Sequence, residues 1–299
     1  MPVFGIEQSL YMPPAALGLL LIAAALHATW NLLVKRSKEK QIFTWCALLV
    51  GAICFAPFLV QVVSFPLSIL PYVISSAIFE ATYYLALIHA YQNGDFSLVY
   101  PIARGSAPVL LTIWAILFLG ERPHLYGLIG IGLLVLGLII VGGKSWWTLR
   151  SLRKTSSLSS SALVLALGVA CCISIYSAID GAAVHQVAPL PYTVLIIGLS
   201  DLLLTPVVLS RYGSQAIITE WRTNWPRIIL VGILSLLSYM LVLLAYSIAR
   251  VSYAGSIREI SVVFAALLGW RWLGEDFGVI RVIGAIFIFA GIFVIAVAG

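Results

Sequence analysis

Charge is the scarcest commodity in this sequence. Only 9% of its 299 residues are charged, against roughly 25% in a soluble domain. A chain this poor in charge, and 62% hydrophobic, cannot cover a globular surface with polar groups. A water-soluble enzyme or binding module is excluded, and lipid becomes the solvent for most of the surface. Short alternating strands are lacking too. The apolar runs are about 20 residues long, which suits spanning helices and not barrel strands. The nucleotide-binding pattern GxxxxGK[ST] is absent, so the chain encodes no ATP drive. HExxH, GxSxG and paired-aspartate signatures are absent as well, and His27, Glu80 and Asp201 are scattered over different runs. Cysteine is sparse: Cys46, Cys54, Cys171 and Cys172 all lie in apolar runs without metal-ligand spacing to a histidine. They read as small buried apolar residues, and no metal or other cofactor is expected. The first fourteen residues have neither a basic n-region nor a small-residue cleavage site, so no secretory signal is expected.

What is present is a series of ten apolar runs, at about 14–34, 43–63, 68–91, 97–119, 123–142, 161–181, 190–210, 226–248, 252–273 and 278–298. They predict an all-α integral membrane protein of ten transmembrane helices. Its longest connection, residues 143–160, is basic and then serine-rich, and separates a first unit (14–142) from a second (161–299). Trp146, Trp147, Trp221 and Trp225 fall at span ends, where an aromatic belt belongs. The net charge of +6 sits in short loops, so topology accounts for it and no nucleic acid partner is expected. One alternate set of loops holds Lys35, Arg36, Lys38, Lys40, Lys144, Arg150, Arg153, Lys154, Arg211, Arg222, Arg227, Arg271 and Arg281, whereas the other set holds only Arg122 and Arg250. The positive-inside rule then predicts that both termini are non-cytoplasmic.

Two stretches echo each other. Residues 102–121 read IARGSAPVLLTIWAILFLGE and residues 256–275 read SIREISVVFAALLGWRWLGE. Arg104 and Arg258, and the Gly-Glu pairs at 120–121 and 274–275, share an offset of 154. Tyr84 answers Tyr239 one residue out of that register, and Trp30-Asn31 answers Tyr176-Ser177 more weakly. Five helices is an odd number, so two such units joined by one loop enter the membrane in opposite senses. The expectation is an inverted repeat with its binding site at the repeat interface near mid-membrane.

The repeated Leu-Gly-Glu followed by a glycine-rich last helix, LFLGERPHLYGLIGIGLLVLGLIIVGG and GWRWLGEDFGVIRVIGAIFIFAGIFVIAVAG, together with HATWNLLVKR in span one, resembles the EamA branch of the drug/metabolite transporter superfamily over nearly the whole chain. The resemblance implies a transporter, not an enzyme, in a bacterial inner (plasma) membrane. It also implies a central cavity lined by spans one, three, four, six, eight and nine. Relatives export or exchange amino acids, nucleotide sugars, phosphorylated sugars or drugs, and keep both termini in the cytoplasm, opposite to the loop charges here. Plastid sugar-phosphate exchangers of the superfamily are similar in carrying basic residues on their fourth and ninth helices.

The candidate binding residues follow. An arginine inside a span costs at least about 2.5 kcal/mol and demands a partner. Arg104 and Arg258 therefore either pair with Glu80 or Glu259 or capture an anionic group of a substrate. Pro108 is expected to open span four near Arg104. Glu80 shares a helix side with Tyr83 and Tyr84, and is read as a site for a substrate ammonium, a coupled proton or an arginine counter-ion. Glu259 is expected to neutralise Arg104 across the repeat interface or to join proton coupling. His27, Trp30 and Asn31 form one face of span one, and Tyr176 and Tyr239 face the cavity from spans six and eight. Asp180 is expected at the lipid–water boundary and Asp201 in a structural role. Glu121 and Glu275 are expected to mark helix ends at the boundary. Gly278, Gly284 and Gly291 suit close packing within the subunit or across a dimer.

These readings combine into a secondary active transporter moving a small polar, anionic or zwitterionic metabolite (an amino acid, organic acid or phosphorylated compound) by alternating access. Its partners would be the small-molecule substrate, the bilayer and a coupling proton or exchange substrate, with the chain acting as monomer or homodimer. An exporter of amphiphilic or cationic drugs, and an intramembrane lipid-modifying enzyme, are the alternatives.

Overall fold

The computed structural model describes residues 12–61, 66–92, 96–152, 160–273 and 278–298. Among these residues the chain is helical throughout, with no strand. The helices are α1 (Pro14–Lys35), α2 (Lys40–Phe55), α3 (Leu70–Gln92), α4 (Phe96–Phe118), α5 (Leu125–Leu152), α6 (Ser160–Ala183), α7 (Pro189–Ile248), α8 (Val251–Ile257), α9 (Ser261–Leu273) and α10 (Val279–Ala298). Proline opens α1 and α7, where its missing N–H is not needed and its fixed φ already suits a helix. Among the described residues, seven helical segments are long and apolar enough to cross a membrane, and Ile102–Phe118 and Leu125–Val141 are shorter apolar helices.

The surface confirms the solvent. Ile22, Ile113, Leu136, Ile139, Leu167, Phe289 and Phe293 are exposed, whereas Glu80, Asp180, Asp201 and Glu259 are buried. A water-soluble protein distributes these residue types the other way round. The protein is an integral membrane protein whose polar groups are gathered inside.

Several details differ from the pattern of runs. The connection expected at 211–225 is helical, and α7 is broken only at Gly213, whose φ of 72° is left-handed backbone open to glycine at little cost. The two limbs of α7 on either side of this break serve as separate rods. α5 continues to Leu152, past the expected start of the linker, and residues 153–159 lie outside the described set. Pro108 does not open α4, which is continuous. The Thr112 hydroxyl instead donates to the Pro108 carbonyl at 2.8 Å. The irregularity falls in the second copy, where Arg258–Ile260 form a single 3₁₀ turn between α8 and α9.

Packing is tightest where glycines meet. α5 lies along α10 and α2 along α7. A β-carbon on Gly284 would stand 2.8 Å from the Gly137 carbonyl oxygen and 2.9 Å from the Val141 nitrogen, and one on Gly291 would stand 2.7 Å from the Leu134 nitrogen. The glycines of α10 are therefore spent within the subunit, against α5. Gly284→Val is expected to lower the thermal midpoint of the detergent-solubilised protein by several degrees, since overpacking costs about 1–3 kcal/mol. Gly132→Val, where nothing lies within 4 Å of the added carbon, is the control. Equal midpoints for the two variants would refute the close contact.

α1 packs on α7 and α9, and α6 packs on α3 and α4. The first helix of each sequence unit thus lies against helices of the other unit. The space left between them is the site.

Candidate functional site

A cavity of about 210 Å³ lies among α1, α2, α3, α4, α6 and α7 and the turn at Arg258. His27, Trp30, Asn31, Glu80, Tyr83, Tyr84, Arg104, Tyr176, Tyr239 and Arg258 all line it. Spacing explains their convergence. His27, Trp30 and Asn31 occupy one side of α1, and Glu80, Tyr83 and Tyr84 one side of α3.

The charged centre is a three-residue cluster. One terminal nitrogen of Arg104 donates to both carboxylate oxygens of Glu259, at 3.1 and 3.0 Å. Arg258 holds its Nε 3.5 Å from the same carboxylate and donates to the Ser177 hydroxyl at 3.1 Å. Glu259 thus bridges two arginines, one on α4 and one its own neighbour, which the 100° step between adjacent helical positions argued against. The 3₁₀ turn at Arg258–Ile260 is where the two side chains converge. Two guanidinium groups are thereby gathered around one carboxylate.

The other terminal nitrogen of Arg104 lies 3.2 Å from His27 Nε2. Guanidinium can only donate, so Nε2 accepts and the imidazole proton sits on Nδ1. Asn31 donates back to the His27 carbonyl at 2.8 Å, and the Trp30 ring meets the imidazole edge-on at 4.9 Å. The buried Trp30 indole N–H has no acceptor. Tyr83, Tyr176 and Tyr239 form a chain of rings, with centroids 6.4 Å apart at each step.

Glu80 does not pair with an arginine. It accepts from the Ser200 hydroxyl at 2.7 Å. Asp180, expected at the lipid–water boundary, is fully buried within the protein and accepts from Tyr192 at 2.8 Å and from Tyr239. The two tyrosines come from different limbs of α7, so this acid ties both limbs to α6. Span seven, outside the expected lining, also contributes, because Ile197, Leu204 and Val208 reach the cavity wall. Gln41, Thr44 and Trp45 of α2 were missed, as were Ser235, Ser238 and Ser261, all of which line it too. The polar side chains at the start of span two were the available signal.

Glu121 also departs from its expected role. It is 2% exposed and accepts from the Val251 and Ser252 backbone N–H groups and the Ser252 hydroxyl. It caps the start of α8 in the other unit, a job for an oxygen acceptor at a helix N-terminus. Gly120, with φ 67°, ends α4 in the left-handed conformation, and the Glu121 N–H returns to the Ala115 carbonyl at 3.1 Å. That closure, six residues back along the chain, turns the carboxylate inward. Glu275 lies outside the described residues. Among the described residues no group of three or more His, Cys, Asp or Glu side chains could hold a metal ion.

The family model described as "EamA-like transporter family" matches residues 14–143 and 160–297. A search of curated proteins found no significant match. Of the solved structures, one crystal structure is similar with a TM-score of 0.73 and 15% sequence identity, over 93% of this chain and 95% of its own. At that identity the likeness is one of fold.

Proposed function

This chain belongs to the EamA-like transporter family, of the drug/metabolite transporter superfamily, and we propose that it moves a small anionic or zwitterionic metabolite through its central cavity by alternating access. Members of the family are membrane transporters, not enzymes. The observation that carries the choice of solute is the Arg104–Glu259–Arg258 cluster, which sets two guanidinium groups in the cavity wall. Their planar donors suit bidentate contact with a carboxylate or phosphate. The unpartnered Trp30 N–H supplies one more donor, and a buried donor without an acceptor is one that a ligand can satisfy. Glu80 and the tyrosines on the same wall suit the ammonium end of a zwitterion. The cavity of about 210 Å³ lies below the roughly 300–1,000 Å³ of pockets that take drug-sized ligands, which favours a small solute over a bulky amphiphilic drug.

The ten-span inverted repeat has support of its own. The sixty residues of α7 are long enough for two crossings at about 20 residues each. α1 lies against the helices of unit two as α6 lies against those of unit one, which is what exchange of equivalent helices predicts. The cavity wall reaches Val34, Lys40 and Gln41, beside the basic α1–α2 turn. By the positive-inside rule this end is cytoplasmic and both termini are outside.

A ligand panel tests the reading. Amino acids, organic acids, phosphorylated sugars and lipophilic cations are added to the solubilised full chain, and unfolding is followed. A ligand at 100 times its Kd stabilises by about 2.7 kcal/mol. Anionic or zwitterionic compounds are expected to raise the midpoint, and Arg258→Ala is expected to weaken them roughly 10- to 100-fold, the worth of one charged hydrogen-bonding group. Stabilisation by lipophilic cations alone would hand the site to the drug-export alternative.

A further inference from the structure

The first limb of α7 carries an acid that the cavity does not use. Asp201 is fully buried, and neither of its carboxylate oxygens has a hydrogen-bond partner. Every other acid named above that lies among the described residues has one. Glu259 holds Arg104, Asp180 takes two tyrosines, Glu80 takes Ser200 and Glu121 caps α8. Glu220, further along α7, accepts from Ser37 and Asn224. Asp201 alone in this group is left bare.

Its neighbours do not offset a negative charge. Glu80 on α3, itself an acid, acts on it directly. Among the described residues, the Cys46 thiol on α2 and the Tyr84 phenol on α3 are the other titratable groups that its charge reaches. None of these is basic. A buried ion without a partner is far costlier than the neutral acid, so a carboxyl in this place needs a cation of its own. A proton satisfies it with no further ligand, whereas a metal cation would need several more oxygens.

The position connects to the cavity. Ile197 and Leu204 stand four residues before and three after Asp201, on the same side of the helix, and both line the cavity, as does Glu80. Ser200, next in the chain, bonds Glu80 and the Ala77 carbonyl. Thr205 donates to the Asp201 carbonyl and receives the indole N–H of Trp45, itself a cavity residue. The turn that carries Asp201 is thereby fixed to α2 and α3 just behind the cavity wall.

We propose that Asp201 and Glu80 form the proton-coupling site of the transporter, with Asp201 as the storage position and Glu80 as its exit to the cavity. The proposal rests on the transport reading above and adds its energy source. Loading puts a proton on an Asp201 oxygen. Release breaks that O–H bond, forms one on a Glu80 oxygen and then passes the proton to cavity water, leaving both carboxylates anionic. Binding of the ammonium end of a zwitterionic solute beside Glu80 favours the release, so solute and proton exchange.

The test uses the solubilised full chain in two arms. In the first, unfolding is measured without ligand between about pH 6 and pH 9 in choline chloride. A native state that holds a proton which the unfolded chain gives up loses stability as pH rises. The wild-type midpoint is expected to fall by several degrees over this range, while Asp201→Asn falls distinctly less and Asp201→Glu keeps the slope. A flat wild type, or an undiminished slope in Asp201→Asn, overturns the proposal. So does a midpoint that sodium chloride raises over choline chloride in wild type but not in Asp201→Asn, which would make this a sodium site. Should Asp201→Asn fail to fold, Glu80→Gln decides: removing the neighbouring charge is expected to move the fall to lower pH, and an unmoved fall overturns the pairing. In the second arm, an equimolar mixture of the common amino acids is added in weak buffer with a pH dye. Wild type is expected to release protons, and Asp201→Asn to be stabilised by the mixture without releasing any. Equal release from both overturns the proposal. If the mixture stabilises neither protein, the solute reading fails, and the ligand-free arm still decides the proton site.

Discussion

Glutamine at position 259 is expected to lower the stability of this protein by about 3–5 kcal/mol, the cost of removing one partner from a buried ion pair. Glu259 is 1% exposed, and the arginine side chains it serves are only 12% and 11% exposed. Glutamine keeps the shape and loses the charge. Two guanidinium groups would then stand close together with no carboxylate between them, in a protein whose exterior is lipid. In the thermal midpoint this amounts to roughly 10 °C. Arg104→Met in the same chain should recover part of the loss, because it removes one of the two guanidinium charges, and the pair of substitutions should be non-additive by about 1–3 kcal/mol. Thermal unfolding of the four proteins of this cycle measures both quantities. If Glu259→Gln melts within a degree of wild type, the bridging carboxylate is not what holds the two arginines in place.

This cluster was half legible in the sequence. Charges are so rare in the apolar runs that Arg104 and Arg258 stand out on inspection, and their common offset ties them to one repeat. The residues at helical spacing on α1 and α3 were legible for the same reason: a polar side chain inside a span has to face something other than lipid. What could not be read is which helix faces which. In a soluble protein the apolar stripe of a helix points to its core, but lipid is as apolar as the interior, so spans carry no such stripe. That is why α2 and the first limb of α7 were not expected at the cavity, and why Thr44, Trp45 and Leu204 were passed over. Depth was also hidden. Asp180 stands near the end of a span by count, yet Tyr192 and Tyr239 close over it from two limbs of α7. The glycines of α10 announced a close approach without naming the partner, which is α5.

Glu121 shows how much a single backbone angle can conceal. Leu-Gly-Glu at a helix end reads as a stop and a surface charge, and only the left-handed φ at Gly120 turns the carboxylate onto another helix. Alanine at 121 leaves two backbone N–H groups of α8, at Val251 and Ser252, and the Ser252 hydroxyl without their acceptor. Each is a hydrogen bond to a charged group, worth about 1.5–3 kcal/mol where it is made, whereas an ordinary cap is worth about 0.5–2 kcal/mol. Water can reach part of this region once the side chain is shortened, so the expected net loss is about 3 kcal/mol, or roughly 6–12 °C in the midpoint. Ser252→Ala removes only the hydroxyl and should lose less than half as much. The contact spans 130 residues of sequence and joins the end of α4 to the start of the segment that carries Arg258. Loosening it therefore reaches the cavity: the 3₁₀ turn that holds Arg258 beside Glu259 begins directly after α8. Glu121→Ala should accordingly weaken binding of any anionic ligand found in the panel, although its side chain is absent from the cavity wall. Unchanged ligand affinity together with a lowered midpoint would limit the cap to holding the fold. An unchanged midpoint would show that the three donors find other acceptors.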